Sequence, residues 1–192
     1  MVKVTKGEQS KNNLIECAAN LFIQKGYNAT GINDILQCTG LPKGSFYFHF
    51  KSKKDLAISV SDYFERKIIE MALVSAKDKE WEAFIKSLSD TMIAGAEINK
   101  HFGCPFAVLG LEIAFSEPDL AEYYTRSMDR LNGIFADVLR FSKVKEDKIP
   151  TLANRAFAAY EGYLVYYRLS KDIDTLRRMA DDLISIYKDY KG

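Results

Sequence analysis

The stretch "TGLPKGSFYFHFKSKKDL", Thr39 to Leu56, places four aromatic rings, one histidine, four lysines and two glycines within eighteen residues. Core helices rarely mix rings with charge so densely, and exposed loops seldom carry so many rings. The segment therefore reads as a surface with two jobs, one face packing inward and another meeting a partner.

The flanking sequence is helical. From Ser10, a candidate N-cap, Leu14, Ile15, Ala18, Ala19, Leu21 and Phe22 recur at helical spacing, and Gly26 reads as the stop. Thr30 is placed to cap a short second helix whose Ile32, Ile35 and Leu36 share a face. Gly40 ends it, since glycine tolerates the left-handed conformation of a sharp turn. A third short helix runs from about Pro42 to His49, and Ser52 caps a long helix from Lys53. Further helices are expected over about 80–99, 104–115, 118–141, 147–169 and 173–190, punctuated by Gly103, Pro105, Pro118, Pro150 and "SKDID". The fold class is all-α: a three-helix head, residues 1–54, and a helical body, residues 55–192, about nine helices in all.

Two short helices joined by a glycine turn let the second enter the DNA major groove while the first crosses the backbone. Phe46 and Phe50, four apart, share a face that can pack on Ile35, Leu36 and Phe22. Tyr47 projects elsewhere, with a hydroxyl for a phosphate oxygen. Lys43 and Ser45 begin the helix and can reach base edges, and Lys53 sits at a helix N-terminus that favours phosphate. For Tyr47 and His49 the alternative is packing in the head's core; for Lys43 and Lys53 it is plain solvated surface.

"AANLFIQKGYNATGINDIL" followed by "TGLPKGSFYFHFKSKKDL" resembles the tetracycline-repressor (TetR) family of bacterial transcription regulators over roughly Lys11 to Leu56. The resemblance implies base reading by Asn33, Lys43, Gly44 and Ser45 and phosphate contact by Tyr47, His49 and Lys53. It also puts Thr30 and Gly31 where the second helix meets the DNA backbone. Pro42 replaces a capping serine common in the family, and Gly31 a common hydroxyl residue.

Charge supports that division. The net charge is +1, but residues 1–54 carry a balance of +5 and residues 55–192 one of −4. A basic head on a mildly acidic body is expected where only the head meets a polyanion. Cys17, Cys38 and Cys104 show no CxxC or other zinc spacing and read as free thiols of a reducing cytoplasm. Cys17 and Cys38 are expected within the head's apolar packing. No apolar run nears the ~20 residues of a membrane span, and "MVKVTKGEQSKNN" lacks a signal-peptide core.

In the body, the resemblance implies an inducer site and a dimer surface. Met71, Met92, Phe102, Cys104, Phe106, Tyr123 and Met128 are candidates to line an apolar chamber, as are Trp81, Phe84, Phe115, Tyr124 and Phe135, all equally suited to a plain core. "AFAAYEGYLVYYRLS" and the final helix resemble the pair that forms the family's four-helix dimer interface. Ala156, Tyr160, Tyr163, Leu176, Leu183 and Tyr187 are its candidate residues. "KHFGCPFAVLGLEIA" looks like one branch of the family, some of whose members respond to reactive electrophiles or small metabolites. Pro105 in a first turn would put Cys104 at an N-cap, where the helix end favours a thiolate, with His101 three residues upstream; the alternative is a buried small hydrophobe.

These readings together describe a repressor that binds a palindromic operator as a homodimer and is released by a small apolar or electrophilic inducer. No cofactor, metal or membrane partner is expected. An enzyme is disfavoured: "GLPKGS" fails the phosphate-loop pattern, and GxSxG, HExxH and the dinucleotide fingerprint are missing. A helical adaptor whose basic head binds protein is the remaining alternative. Operator, inducer and sign of regulation are not encoded in any motif.

Overall fold

The computed structural model describes residues 5–191, with only the backbone of Lys191. Among them are nine helices: α1 (Lys6–Lys25), α2 (Ile32–Thr39), α3 (Lys43–His49), α4 (Lys53–Ala76), α5 (Trp81–Glu97), α6 (Pro105–Ile113), α7 (Pro118–Phe141), α8 (Ile149–Ser170) and α9 (Asp174–Lys191). The all-α expectation is met. The leader reading of the N-terminus falls in part on residues 1–4, outside the described residues.

Two caps differ from expectation. Helix α1 starts a turn before Ser10, because Thr5 and Glu8 form a reciprocal capping box: Glu8 N–H donates to Thr5 Oγ1 (3.2 Å) and Thr5 N–H to Glu8 Oε2 (2.8 Å). The Thr5 N–H, and after it the Thr5 hydroxyl, donate to the Glu8 carboxylate and hold it below its ordinary pKa. Thr30 does not cap α2. Its buried hydroxyl donates back to the Gly26 carbonyl at 2.7 Å, and Gly31 holds the N-cap position, its N–H donating to Asp34 Oδ2 at 2.7 Å. Ser52 does cap α4, accepting from the Asp55 N–H at 3.1 Å, while Asp55 accepts from Lys51 N–H at 2.9 Å.

Chain contacts group the molecule into two compact units. The first takes Met1–Arg66 with Val108–Thr125, the second Lys67–Ala107 with Arg126–Gly192. In the first, Leu14, Ala18 and Phe22 of α1 are buried with Ile35 of α2 and Phe46 of α3, and Phe50 tilts against Phe46 at 5.9 Å between ring centroids. Burying each of the leucine, isoleucine and phenylalanine side chains contributes about 1.5–3 kcal/mol, so the helix-turn-helix is held by a core and not by helix propensity. Leu36, expected in that set, is only half-buried.

In the second unit Trp81 is a hub. Its indole N–H donates to the Leu183 carbonyl of α9 (3.0 Å), and its backbone N–H to Ser142 Oγ (2.8 Å). Its ring meets Phe84, Phe135 and Tyr187. The "HFGC" loop lies along one stripe of α8. His101 stacks on Tyr167, whose hydroxyl donates to the His101 carbonyl (3.2 Å). Arg168 donates to the Phe102 carbonyl (3.3 Å), and Gly103 sits where a Cβ would come within 2.8 Å of the Leu164 oxygen. Only glycine fits so close to another backbone.

Candidate nucleic-acid interface

Between α2 and α3 the chain turns in three residues. Gly40 adopts φ 69°, and its N–H donates to the Leu36 carbonyl at 2.9 Å, a left-handed stop that releases the chain toward α3. Pro42, extended, is the N-cap of α3 and supplies no side-chain cap, as its replacement of a serine implies. The first turn of α3 is therefore open: Lys43 and Gly44 are exposed, Ser45 half-buried, and nothing lies within 4 Å of a Cβ placed on Gly44. The Ser45 N–H donates to the Pro42 carbonyl at 2.9 Å, and a lysine at a helix start without a side-chain cap suits an anionic partner.

Along α3 the rings divide their work. Phe46 faces the core, whereas Tyr47 is 51% exposed, with Lys43 Nζ 5.9 Å from its ring centroid. Phe48, 80% exposed, was assigned no role from sequence; its period places it outside the Phe46–Phe50 face, and that is the signal that could have found it. His49 is half-buried, its Nε2 2.6 Å from Ser10 Oγ. Ser10 thus anchors the end of α3 to α1 instead of capping α1. Asn33 and Gly31 are exposed on α2.

Two expected contacts are relocated. Thr30 is fully buried, and its hydroxyl is committed to Gly26, so that side chain has no surface to offer DNA. Lys53 is turned inward: Nζ donates to the Tyr27 carbonyl (3.0 Å) and the Thr30 carbonyl (3.1 Å) and lies 4.2 Å from the Tyr27 ring centroid. Lys54 is paired too, 3.0 Å from both Glu117 and Asp119, whose carboxylates raise its pKa. The 26–31 loop that launches α2 is thus fixed from both sides. Its carbonyls take the Lys53 ammonium, and its Tyr27 and Asn28 N–H groups donate to Glu112 of α6 at 2.8 and 2.7 Å.

The cysteines also depart from expectation. Cys17 of α1 and Cys38 of α2 are joined in a disulfide with Cα atoms 6.2 Å apart, and they lie at the surface of the head, Cys38 exposed and Cys17 half-buried. Helical neighbours facing each other across a seam meet in space whatever their sequence spacing, which is why the spacing was silent. Cys104 is a buried thiol, and burial with the Glu161 carboxyl beside it pushes its pKa well up. The small-hydrophobe reading of Cys104 therefore prevails over the activated thiolate: desolvation outweighs the helix end.

Of the remaining chamber candidates, Phe115, Tyr123 and Tyr124 fall in the first unit and the others in the second. Met92 and Phe106 are buried, while Met71, Phe102, Tyr123 and Met128 are half-buried. Phe115 is fully exposed and lines no interior. A groove of about 330 Å³ runs elsewhere, between α7 and the start of α8, lined by Asp129, Asn132, Arg140 and Pro150 among others. Glu161 is 8% exposed, and no N–H or O–H reaches either carboxylate oxygen; burial raises its pKa to about 7. His101 is half-buried, but its Nε2 is enclosed and unpartnered, and desolvation lowers its pKa to about 4.

The dimer candidates require correction. Ala156, Tyr160, Leu176, Leu183 and Tyr187 are all buried inside the chain itself, so none can meet a partner. Only Tyr163 is partly open, with the Asp182 carboxyl beside it. Sequence periodicity marked the apolar stripe of each helix correctly but could not say that α8 and α9 spend it on their own chain. Among the described residues no group of three metal-ligating side chains is assembled, and no helix is long and apolar enough to cross a membrane.

A glycine-turned helix pair with an open, basic second-helix start, within an all-helical chain, defines a helix-turn-helix regulator. The chain belongs to the TetR family of bacterial regulatory proteins. Residues 14–60 match the family's N-terminal model, "Bacterial regulatory proteins, tetR family", and residues 79–182 match "Transcriptional regulator LmrA/YxaF-like, C-terminal domain". The HTH-type transcriptional regulator LmrA of Bacillus subtilis (strain 168) is 25% identical over 185 residues, 93% of this chain and 97% of that protein. An uncharacterised HTH-type regulator in the lacX 3' region of Lactococcus lactis subsp. lactis is 26% identical over 178 residues, 90% of each. A TetR-family regulator of Cytophaga hutchinsonii has the same fold, with a TM-score of 0.86 at 18% identity over 98% of each chain. The chain is accordingly a ligand-responsive DNA-binding transcriptional regulator of TetR type.

Proposed function

We propose that this chain is a cytoplasmic repressor that binds a palindromic operator as a homodimer and leaves it when a small molecule enters the body. Residues 1–54 read DNA; residues 55–192 bind inducer and dimerise. The observation that carries the reading is the open first turn of α3, where Lys43, Gly44 and Ser45 stand clear of the core beside the exposed Tyr47 ring. Lys43 and Ser45 read base edges, joined by Asn33 from α2. Tyr47 and Gly31 address the DNA backbone, and His49 keeps the end of α3 in register through Ser10. A two-fold pair of heads suits half-sites about one turn, ~34–36 Å, apart. The inducer is a small apolar or electrophilic molecule held by the body's half-buried Met71, Phe102 and Met128. It acts only through a difference in affinity between the DNA-competent and DNA-released states.

The test is titration of the full chain on a palindromic duplex taken from the gene's upstream region, at several salt concentrations. Specific binding is expected with a steep inverse salt dependence. Lys43→Ala and Ser45→Ala should change base preference by about 1–3 kcal/mol per lost contact. Tyr47→Phe should weaken specific and random duplexes alike. Equal affinity for palindromic and scrambled DNA at matched ionic strength would return the head to a protein-binding role.

A further inference from the structure

We propose that Cys17 and Cys38 form a reversible thiol–disulfide couple that locks α2 onto α1 and gives the head a redox input separate from any inducer. The two sit on adjacent helices with Cα atoms 6.2 Å apart, inside the range that a disulfide spans without backbone movement. Both are reachable from solvent, Cys38 exposed and Cys17 half-buried, whereas Cys104 is buried in the second unit. An acceptor for the reduced state is in place as well: Asn13 Oδ1 lies 3.8 Å from Cys17 Sγ, within the weak reach of a thiol donor.

The position gives the bond its consequence. Cys38 occupies the last turn of α2, two residues before Gly40, so the link pins the end of α2 from which the chain swings into α3. The seam it crosses is otherwise apolar, with Leu14, Ala18 and Ile35 beneath it. The bonded sulfurs coexist with the assembled helix-turn-helix, so oxidation preserves the DNA-competent arrangement. It acts by closing a loop with a sequence separation of 21, which restricts the opened head and not the closed one.

The oxidant is a low-molecular-weight disulfide. The Cys38 thiolate attacks one of its sulfurs; that S–S bond breaks, and one small thiolate leaves and takes up a proton. The Cys17 thiolate then attacks Cys38 Sγ of the mixed disulfide, expelling the second small thiolate, which is protonated in turn. Two electrons pass from the protein dithiol to the small disulfide, and a small thiol reverses each step. The position of the couple is set by the compartment's thiol balance.

The full chain is incubated in defined ratios of oxidised to reduced glutathione, trapped by alkylation and mapped by mass spectrometry; hydrogen exchange is followed on the same samples. The expected result is a Cys17–Cys38 link, reversed by reduced glutathione, with Cys104 remaining a thiol. The most protected α1 and α2 amides should exchange ten- to roughly a hundredfold more slowly when linked. The Cys38→Ser and Cys17→Ala variants should fold, take at most a glutathione adduct at the remaining thiol and lose the redox dependence of exchange. Separate adducts on both cysteines of the wild type under oxidant excess would overturn the proposal. So would a link that forms without slowing exchange in α2.

Discussion

Single side chains in this molecule carry charge in places where its energetic sign can be read. Glu161 is buried beside the Cys104 thiol, and its pKa rises from the ordinary 4.5 to about 7. A carboxyl whose folded pKa lies above its unfolded one binds more protons when folded across that window. Stability therefore falls as pH rises from 4.5 to 7 and levels off above it, a loss of about 3 kcal/mol. His101 acts in the opposite direction: burial lowers its pKa from 6.5 to about 4, so its contribution is lost as pH falls through that range. In a comparison of wild type with Glu161→Gln the His101 effect cancels. The variant should match the wild type below pH 4.5 and gain about 3 kcal/mol above pH 7, measured by urea unfolding. A constant difference across pH would show that the carboxyl is solvated. Lys53 offers a second residue-scale test. Its ammonium serves two carbonyls of the 26–31 loop, so Lys53→Ala should cost about 1–3 kcal/mol of head stability. An unchanged unfolding midpoint with a salt slope of DNA binding lowered by about one unit would place that ammonium on a phosphate instead.

At the scale of elements, the helices were legible because apolar period, glycine and proline all act locally. Helices α5 to α9 fall within two residues of the spans expected from "Pro118", "Pro150" and their neighbours. The start of α1 was missed because Thr5 and Glu8 form a stronger cap than Ser10, which is drawn off to His49, 39 residues away. The exposed residues that open α3 were readable as a pattern of types. The inward turn of Lys53, the burial of Thr30 and the pairing of Cys17 with Cys38 were not, because each depends on a partner brought close only by folding. Helix α6 supplies the clearest example. Glu112 sits 84 and 85 residues from the backbone groups it binds, and no local signal marks it. Glu112→Ala leaves two N–H groups without their carboxylate, so head stability should fall by about 1–3 kcal/mol. Hydrogen exchange should accelerate at Tyr27 and Asn28; unaltered exchange there would mean that water replaces the carboxylate at no cost.

For the molecule as a whole, the burial pattern redirects the search for a dimer surface. Leu183→Arg would unfold the chain, since Leu183 is fully buried and its carbonyl receives the Trp81 indole. The outward side of α8 carries Ala158, Gly162, Tyr166 and Leu169, exposed at helical spacing, and no atom lies within 4 Å of a Cβ on Gly162. Small residues between large apolar ones allow two copies of a helix to approach closely. Tyr166→Arg should leave the circular dichroism and unfolding midpoint unchanged while sedimentation shows dissociation, because an apolar interface cannot desolvate the new charge. A Tyr166→Arg protein that stays dimeric would move the interface off α8. The Glu112 clasp has a further meaning at this scale. It grips main-chain N–H groups, which every residue except proline possesses, so the side chains at positions 27 and 28 are invisible to it. A mutational scan of that loop should accordingly find Asn28 interchangeable with almost anything but proline: the joint tolerates a change of spelling and fails only on a change of grammar.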